Sequence, residues 1–379
     1  MSATMTADEL ARALALRDLT DPSAGPHAIQ LVVDRLERAL SDAWAVPVRR
    51  DPGPRIVTVA DNYDRLRYSP DAITRDRRYS RYVGDGRMLR SHTTARIPAL
   101  LASLDSAPRA SAMDVVLSVP GICYRRDLID RRHVGEPHQL DLWRVRGDGR
   151  PLSSDDLEAM VGLVVAAVLP GVHWWTVPGP HPYTLAGREI YVRVAGEEVE
   201  VGECGLAHPS VLTASGLPVG ASGLAMGLGL DRLAMLAKGV PDIRLLRSAD
   251  PRIAAQMTDL SAYREVSRMP ATHRDLSVAV ADELDPELLG DRVRALLGPD
   301  AAAVEEVAVL SETAYALLPP TARLRMGVRP GQKNVLLRVA LRELSRTLTS
   351  AEANEIRDRI YAGLHEGTAH EWSVSTLAI

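Results

Sequence analysis

Two glycines and an arginine in the middle of the chain form the clearest candidate for chemistry. Gly227 and Gly229 precede Asp231 and Arg232, so a stretch of bare backbone leads directly to a positive charge. Glycine in a strand permits close approach of a ligand, and a guanidinium binds phosphate oxygens well. Arg232 stands where a dinucleotide-binding fingerprint has its third glycine. The spacing is therefore compatible with a phosphate site of another kind, although an arginine in the first turn of a surface helix is more often only solvated.

Composition limits the class of protein. The chain has 379 residues, of which 46% are hydrophobic and 25% are charged, with a formal net charge of −4. This length allows two domains, and the charge argues against a chain that is basic throughout, although a basic face for nucleic acid remains compatible with it. The longest apolar run, at 160–172, is too short to span a bilayer and contains Pro170. We therefore expect no membrane partner.

The cysteines indicate a compartment. Cys123 and Cys204 are far apart in the sequence and are the chain's two cysteines. They provide neither a disulfide framework nor the spacing of metal ligands. Because thiols persist in a reducing environment, the sequence predicts a cytoplasmic protein.

Hydrophobic periodicity predicts the elements that position these residues. Apolar residues at spacings of three and four between Pro26 and Trp44 predict an amphipathic helix. Residues 61–88 are rich in Arg, Asp and Tyr, which is typical of an ordered loop over a site or of a solvated linker. Further helices are predicted at 95–104 and 153–169. Strands are predicted at 114–120, 138–145, 173–177, 189–194 and 198–203.

The pattern changes near residue 260. Strands are predicted at 276–281, 304–310 and 334–341, helices at 286–297 and 350–366, and further extended pieces at 323–328 and 371–377. This order is close to the β-α-β-β-α-β pattern of ferredoxin-like domains. The sequence thus predicts an α+β protein with a lead-in at 1–24, one domain at 25–260 and a second at 261–379.

Several motifs in one order resemble the phenylalanyl-tRNA synthetase family, α-subunit type. The segments that carry the resemblance are Asp61-Asn-Tyr-Asp, Leu89-Arg90-Ser91-His92-Thr93-Thr94, Tyr124-Arg125-Arg126-Asp127, His138-Gln139-Leu140-Asp141, Gly227-Leu-Gly-Leu-Asp-Arg232 and Met269-Pro270-Ala-Thr-His-Arg274. They span roughly residues 25–370. The order resembles the single-chain organellar form. It implies a class II synthetase antiparallel sheet with flanking helices, followed by a ferredoxin-fold anticodon-binding domain.

The resemblance also implies an activity. A synthetase of this family activates an amino acid with ATP and Mg²⁺ and transfers it to tRNA. Positioning and charge stabilisation carry most of such a reaction. The implied partners are the amino acid and a tRNA, which we expect to be the phenylalanine acceptor, and the implied assembly is a monomer or a homodimer.

The family's site residues carry over to matching positions of this chain. Arg125 and Arg232 are the implied catalytic residues, on the α- and γ-phosphates. The implied ATP-binding residues are Arg125, Asp127, His133, Glu200 and Arg232, with Glu200 as the metal contact. The implied amino-acid-binding residues are His92, Thr94, Asp127, Gln139, Asp141, His181, Tyr183, Glu203 and Ala225. The candidates for tRNA binding are Lys333, Arg338, Arg342 and Arg346, each of which could equally be a solvated surface charge.

The chain departs from the family around the amino acid. His181-Pro182-Tyr183-Thr184 replaces a Phe-Pro-Phe-Thr segment, and Glu203 replaces a glycine. Ile97 stands at a glutamine position, and Pro137 stands where an aromatic residue stacks on adenine. A buried Glu203 needs an arginine, a metal or an unusual substrate as its partner. The alternative is a Glu203 that is exposed or bridged locally and plays no part in specificity. The resemblance implies phenylalanine as the substrate, and these departures add a phenylalanine-like amino acid as the alternative.

Two other functions stay open at this point. The first is a paralogue that activates a non-standard amino acid for natural-product biosynthesis, as an adenylate-forming amide ligase. The second is a catalytically inactive, tRNA-binding regulatory paralogue. The C-terminal domain argues against the first, and retention of Arg125, Arg232, Gln139 and Glu200 argues against the second.

The chain contains no phenylalanine, although it has ten tyrosines and five tryptophans. This absence fits a protein that is synthesised while phenylalanine-charged tRNA is scarce or mischarged. We therefore expect a version with several Phe codons to be made more slowly than the natural chain under phenylalanine starvation. Pulse labelling of the two versions measures this, and equal synthesis rates would contradict the idea.

Overall fold

The computed structural model describes residues 4–76, 78–105, 113–266, 269–344 and 346–370. Its helices are α1 Ala7–Ala15, α2 Ala28–Trp44, α3 Val59–Asn62, α4 Ile97–Asp105, α5 Ser154–Val168, α6 Pro209–Ala214, α7 Leu230–Lys238, α8 Pro251–Ala254, α9 Pro286–Leu297, α10 Pro320–Met326 and α11 Ser350–Leu364. Its strands are β1 Val48–Arg50, β2 Ile56–Thr58, β3 Tyr82–Gly84, β4 Arg87–Leu89, β5 Asp114–Ile122, β6 His138–Arg146, β7 His173–Pro178, β8 Thr184–Val194, β9 Glu197–Ala207, β10 Ser222–Gly229, β11 Thr272–Ala281, β12 Val304–Ala314 and β13 Gln332–Leu341.

Contacts along the chain define two compact units. Unit 1 comprises residues 1–125, 136–241 and 254–263, and unit 2 comprises residues 126–135, 242–253 and 264–379. Two stretches that the sequence assigns to the first predicted domain, 126–135 and 242–253, thus belong to unit 2.

Unit 1 is built on a seven-stranded sheet in the order β1-β5-β6-β10-β9-β8-β7. The β1–β5 pair is parallel, and the other pairs are antiparallel. Helices α2, α5 and α7 pack together, as the apolar stripe of α2 requires. The predicted antiparallel sheet with flanking helices is confirmed.

A buried carboxylate ties the start of α7 to the start of β6. Asp231 Oδ2 accepts a hydrogen bond from the His138 backbone N–H, and Asp231 Oδ1 lies 3.1 Å from His138 Nδ1. The Leu19 N–H donates to His138 Nε2 at 3.0 Å, so Nδ1 carries the imidazole proton. Both Asp231 and His138 are buried. Asp231 therefore holds the start of α7 against the start of β6, although Asp231 and His138 lie 93 residues apart in the sequence.

Replacing Asp231 with alanine is expected to lower the free energy of unfolding by about 3 kcal/mol, since the variant leaves buried donors of His138 without an acceptor. Urea unfolding followed by tryptophan fluorescence measures the loss, because four of the five tryptophans lie in unit 1. The control is Glu198→Ala, which removes an exposed ion pair with Arg193 and should cost no more than about 1 kcal/mol. Equal losses in the two variants would show that the buried contact stabilises the fold no more than an exposed ion pair does.

Unit 2 contains a three-stranded antiparallel sheet in the order β11-β13-β12. Helix α11 packs against α9 and β11. The order β11, α9, β12, β13, α11 supplies five elements of the ferredoxin-like pattern. The sixth, the extended piece predicted at 371–377, lies outside the described residues.

The extended piece predicted at 323–328 is wrong. Helix α10 covers Pro320–Met326, because Pro320 suits the first turn of a helix and Gly327, at φ 63°, ends it in the left-handed conformation. The ends of this short run, and not its own Arg and Leu residues, specify its conformation.

Candidate active site

One face of the unit 1 sheet carries a gap in its row of side chains. Gly227 on β10 pairs with Asp141 on β6 on one side and with Glu203 on β9 on the other. Paired residues of neighbouring strands point to the same face, so two carboxylates flank a floor that has no side chain. Their backbones lie about 10 Å apart, which is two strand spacings. Gly227 and Gly229 are partly exposed, so this floor is open.

Asp141 is the buried carboxylate of this floor. It accepts hydrogen bonds from Thr93 Oγ1 at 2.7 Å, Thr94 Oγ1 at 3.0 Å and Trp143 Nε1 at 3.2 Å. Burial raises its pKa to about 6, against the effect of these donors, and the charge of Glu203 raises it further. The site thus holds a carboxylate that a cationic ligand group would stabilise.

His92 lies in the same region with no hydrogen-bond partner. Both of its ring nitrogens are buried and unpaired among the described residues. Its ring stacks on Tyr68, with 5.7 Å between the centroids, and lies edge-on to Tyr63. Burial, and then the charge of Arg125, lowers its pKa to about 3, so the imidazole is neutral. A buried polar group without a partner in the chain is rare in a native protein, so the partner of this imidazole is a water molecule or a ligand.

Arg125 provides the positive charge next to these groups. Its Nε donates to the backbone oxygen of Ser91 at 2.8 Å, which fixes the guanidinium. The charge of Arg125 contributes to the lowered pKa values of both His92 and Glu203. Within the described residues its terminal nitrogens have no hydrogen-bond partner, so they are available to an anion.

Glu203 is anchored by two side chains of the segment before β8. Its Oε2 lies 2.7 Å from His181 Nε2, and Tyr183 Oη donates to its Oε1. Partial desolvation opposes ionisation of Glu203, but the hydrogen bond and charge of His181 prevail and lower its pKa to about 2. Burial lowers the pKa of His181, but the hydrogen bond and the charge of Glu203 outweigh this effect and raise it. The partners of Glu203 within the chain are therefore a histidine and a tyrosine, as in the locally bridged alternative, and not an arginine or a metal.

Aromatic rings cover the sheet at the next pair of residues on the same face. Ala225 pairs with Trp143, and Tyr183 stacks on Trp143 with 6.0 Å between the centroids. Burial, followed by Glu203, raises the pKa of Tyr183, so its hydroxyl stays protonated. Ala225 is only 1% exposed, in a core with residues of α4. The open part of the site thus begins at Gly227 and not at Ala225.

Arg232 and Glu200 lie further along the same sheet region. Arg232 Nη1 donates to the Glu200 backbone oxygen at 2.9 Å and to Glu200 Oε2 at 3.1 Å. Gly229 is the N-cap residue of α7, and its partner on the neighbouring strand β6 is Gln139. The bare floor therefore leads to a helix N-terminus and a guanidinium, an arrangement that suits an anion.

The remaining predicted residues belong to unit 2. Asp127 Oδ1 accepts the Leu128 N–H at 2.8 Å, and His133 Nδ1 lies 2.7 Å from Asp130 Oδ2. Segment 126–135 packs within this unit, where Arg294 donates to the backbone oxygens of Asp127 and Leu128. The structure thus places Asp127 and His133 in unit 2, while the other predicted ATP and amino-acid residues lie in unit 1.

Each candidate tRNA-binding cation pairs with a carboxylate. Lys333 Nζ lies 2.8 Å from Glu312, Arg338 lies 2.8 Å from Asp275 and Arg346 lies 2.9 Å from Glu352. Arg342 pairs with Glu305. A polyanion would have to compete with these carboxylates for the cations.

Two aromatic residues of the site escaped the sequence analysis. Tyr68 stacks on His92, and Trp143 donates to Asp141. The sequence held a signal for Trp143, since it lies two residues after Asp141 on a predicted strand and so shares its face. Tyr68 gave no signal beyond its place in the Tyr-rich segment 61–88.

The family model described as "tRNA synthetases class II core domain (F)" matches residues 17–257. The chain belongs to this family. As a class II aminoacyl-tRNA synthetase of the phenylalanyl type, it is an aminoacyl-tRNA ligase, and the recognition made from its motifs is confirmed.

Several named proteins are similar to this chain. The "Probable phenylalanine--tRNA ligase, mitochondrial" of Drosophila melanogaster is 27% identical over 362 residues, covering 80% of this chain and 74% of that protein. The "Phenylalanine--tRNA ligase, chloroplastic/mitochondrial" of Arabidopsis thaliana is 26% identical, covering 80% and 68%. The mitochondrial phenylalanine--tRNA ligase of Saccharomyces cerevisiae is 25% identical, covering 89% and 86%. A solved pyrrolysyl-tRNA synthetase from Desulfitobacterium hafniense aligns with a TM-score of 0.45 at 16% identity, covering 59% of this chain and 74% of that one.

Among the residues that the structure describes, no helix is both long and apolar enough to cross a membrane.

Proposed function

We propose that this class II synthetase activates phenylalanine or a phenylalanine-like amino acid with ATP and transfers it to tRNA. The observation that carries the proposal is the bare floor at Gly227 and Gly229, which has Asp141 on one side and leads to Arg232. A carboxylate for an ammonium group and a guanidinium for phosphates are thus arranged along one open surface.

The amino acid would bind over Gly227. Its ammonium group would bind Asp141, whose low-dielectric surroundings favour a cationic partner. Its carboxylate would approach Arg125, and the neutral imidazole of His92 would donate or accept one further hydrogen bond. Thr94 orients Asp141 by donating a hydrogen bond to it. Gln139 lies two residues before Asp141 on β6 and so on the same face of the sheet, where it would reach the reacting carboxylate.

ATP would bind beside the amino acid. Arg125 would hold the α-phosphate against the incoming carboxylate and stabilise the charge that develops there. Arg232, at the N-terminal end of α7, would hold the γ-phosphate. The activation step then needs no protein nucleophile, because the substrate carboxylate attacks the α-phosphorus and pyrophosphate leaves. Asp127 and His133, in unit 2, remain proposed contacts to the substrates on resemblance alone.

The residues present fit Mg²⁺ in a shared mode of binding. The described residues contain no group of three or more His, Cys, Asp or Glu that could hold a metal by themselves. Magnesium commonly binds one or two carboxylates together with substrate phosphates. Glu200, whose side chain is 42% exposed beside Arg232, would supply such a carboxylate. The ion would neutralise phosphate charge.

The second step requires tRNA. We propose the predicted second domain, 261–379, as the anticodon-binding part, with Lys333, Arg338, Arg342 and Arg346 exchanging their carboxylate partners for phosphates. The names of the relatives favour tRNA as the acceptor. They give no support to the amide ligase or to the inactive regulatory paralogue.

Aminoacylation of tRNA tests this function as a whole. The full chain is incubated with ATP, Mg²⁺, total tRNA and each amino acid of a panel of phenylalanine and its ring analogues. We expect acyl-tRNA to form with at least one of them, and no product with periodate-oxidised tRNA as a control. Activation without transfer to any tRNA would contradict the proposal and favour the amide ligase.

We propose a cytoplasmic location, supported by the two buried free thiols Cys123 and Cys204. The names of the Drosophila, Arabidopsis and yeast relatives place those proteins in organelles. We propose a monomer or a homodimer as the assembly, with α2 as the interface in the second case.

A further inference from the structure

The Glu203 carboxylate faces the open part of the amino-acid site. It shares a row with Gly227 and Asp141, and an added Cβ at Gly227 would lie 3.5 Å from Glu203 Cγ. Its side chain is 38% exposed, whereas His181 beside it is only 14% exposed. A ligand lying on Gly227 with its ammonium group at Asp141 would therefore meet Glu203 at the other edge of the floor.

The hydrogen bonds to Glu203 leave it able to bind more. An ionised carboxylate offers about four lone-pair positions. Tyr183 and His181 each occupy one of them, on different oxygens. These two donors also fix the orientation of the carboxylate and keep it ionised, as its pKa of about 2 shows. Glu203 is thus a preorganised acceptor for further donors from the open side.

The apolar side of this floor is already filled by side chains of the protein. Within the described part of the chain Trp143 is fully buried, Ala225 is 1% exposed and Tyr183 is 3% exposed, so their surfaces are already covered by neighbouring residues. A plain phenyl ring would have to displace these rings or cover the Glu203 carboxylate. Covering it would remove water from a charge without supplying a new hydrogen bond, which is unfavourable.

We propose that Glu203 is a specificity-determining residue that accepts a hydrogen bond from a hydroxyl or amino group on the side chain of the amino acid substrate. The substrate class is therefore a phenylalanine-like amino acid with a hydrogen-bond donor on its ring, and plain phenylalanine is disfavoured. This inference rests on the proposed function, because it assumes that an amino acid occupies the floor at Gly227. A site built to bind a donor rejects the analogue that lacks one.

Isothermal titration calorimetry on the full wild-type chain tests the inference without requiring catalysis. The probes are phenylalanine, tyrosine, meta-tyrosine and 4-aminophenylalanine, each titrated in the presence of a non-hydrolysable ATP analogue. We expect at least one donor-bearing amino acid to bind about 10–100-fold more tightly than phenylalanine. Phenylalanine binding as tightly as the best of the others, or no binding by any of the four, would overturn the inference.

Substitution at Glu203 separates specificity from a structural role. In Glu203→Gln we expect the preference for the donor-bearing amino acid over phenylalanine to fall about tenfold or more. Glu203→Asp keeps the charge, so this variant should retain part of the preference. The matched control on the same strand is Glu198→Gln, which should leave the preference unchanged. A merely structural Glu203 would weaken all four amino acids by the same factor, and that result would also overturn the inference.

Pyrophosphate exchange with the same four amino acids distinguishes this inference from the proposed function. Preferential binding of a donor-bearing amino acid without any exchange would leave the role of Glu203 standing and refute the activation chemistry. Exchange that is fastest with phenylalanine would support the chemistry and overturn the role of Glu203.

Discussion

Arg125→Ala is expected to lower the rate of ATP–pyrophosphate exchange by about 10³-fold. The guanidinium is fixed by its hydrogen bond to Ser91 O, so it is already in place when charge develops on the α-phosphate. A preorganised charge of this kind stabilises the transition state more than the bound substrates, and its loss should reduce kcat. Steady-state exchange kinetics with saturating ATP and amino acid measure the effect.

Two further variants make this result specific. Arg125→Lys keeps the charge but loses the planar fork, so it should recover only a small part of the rate. Arg193→Ala, which removes an exposed arginine paired with Glu198 on the same sheet, should exchange at the wild-type rate. If Arg125→Ala kept more than about a tenth of the activity, the proposed transition-state contact would be wrong.

Asp141→Asn is expected to lower kcat/KM for the amino acid by about 10–100-fold at pH 8, because it removes a charge-assisted hydrogen bond to the ammonium group. In the wild type the same parameter should fall as the pH drops below about 6, the pKa of this carboxyl group. At pH 5 roughly a tenth of the protein would carry the ionised form. A pH profile of exchange, with the amino acid varied, measures both effects.

The sign of this pH dependence differs between activity and folding. Binding of the ammonium group needs ionised Asp141, so the affinity for the amino acid reaches its full value well above pH 6 and is lost as the pH falls below 6. The raised pKa means that the fold favours the neutral carboxyl, so this group's contribution to stability is lost as the pH rises through 6. Glu203 and His92, with pKa values of about 2 and 3, do not titrate in this range. His181, whose pKa is raised, titrates at higher pH.

Asp141→Asn also serves as the control for this profile. The variant should lose the decrease near pH 6 and keep any change that His181 causes. An unchanged decrease near pH 6 in Asp141→Asn would assign the titration to another group and contradict the proposed ammonium contact.

The long helices and strands of unit 1 could be predicted from apolar periodicity and from the glycines and prolines that end them. The short strands β3 and β4 could not, because they lie within or at the end of 61–88, where composition predicts an ordered loop or a solvated linker. The apolar stripe of α2 and the alternation along β6 specify their own conformations, and Gly227, Gly229 and Arg232 keep their predicted order in the structure. Such local signals also fixed the position of α9. Local pattern is informative where one face of an element is buried along its whole length.

The parts that the sequence did not predict depend on contacts between distant segments. The pairing of Glu203 with His181 needs the register between β8 and β9, which periodicity does not reveal. The assignment of 126–135 to unit 2 depends on side chains such as Arg294, located 167 residues after Asp127. Burial of Ala225 depends on a core cluster that includes its strand partner Trp143 and residues of α4, which are distant in the sequence. None of these contacts leaves a spacing that could be read along the chain.

In the proposed reaction, one floor of the unit 1 sheet brings an amino acid and ATP together. ATP–pyrophosphate exchange with the full wild-type chain, Mg²⁺ and a panel of phenylalanine and its ring analogues tests it most directly. We expect exchange that depends on the amino acid, with at least one member of the panel active and Arg125→Ala about 10³-fold slower. No exchange above the Arg125→Ala background with any amino acid would contradict the claim.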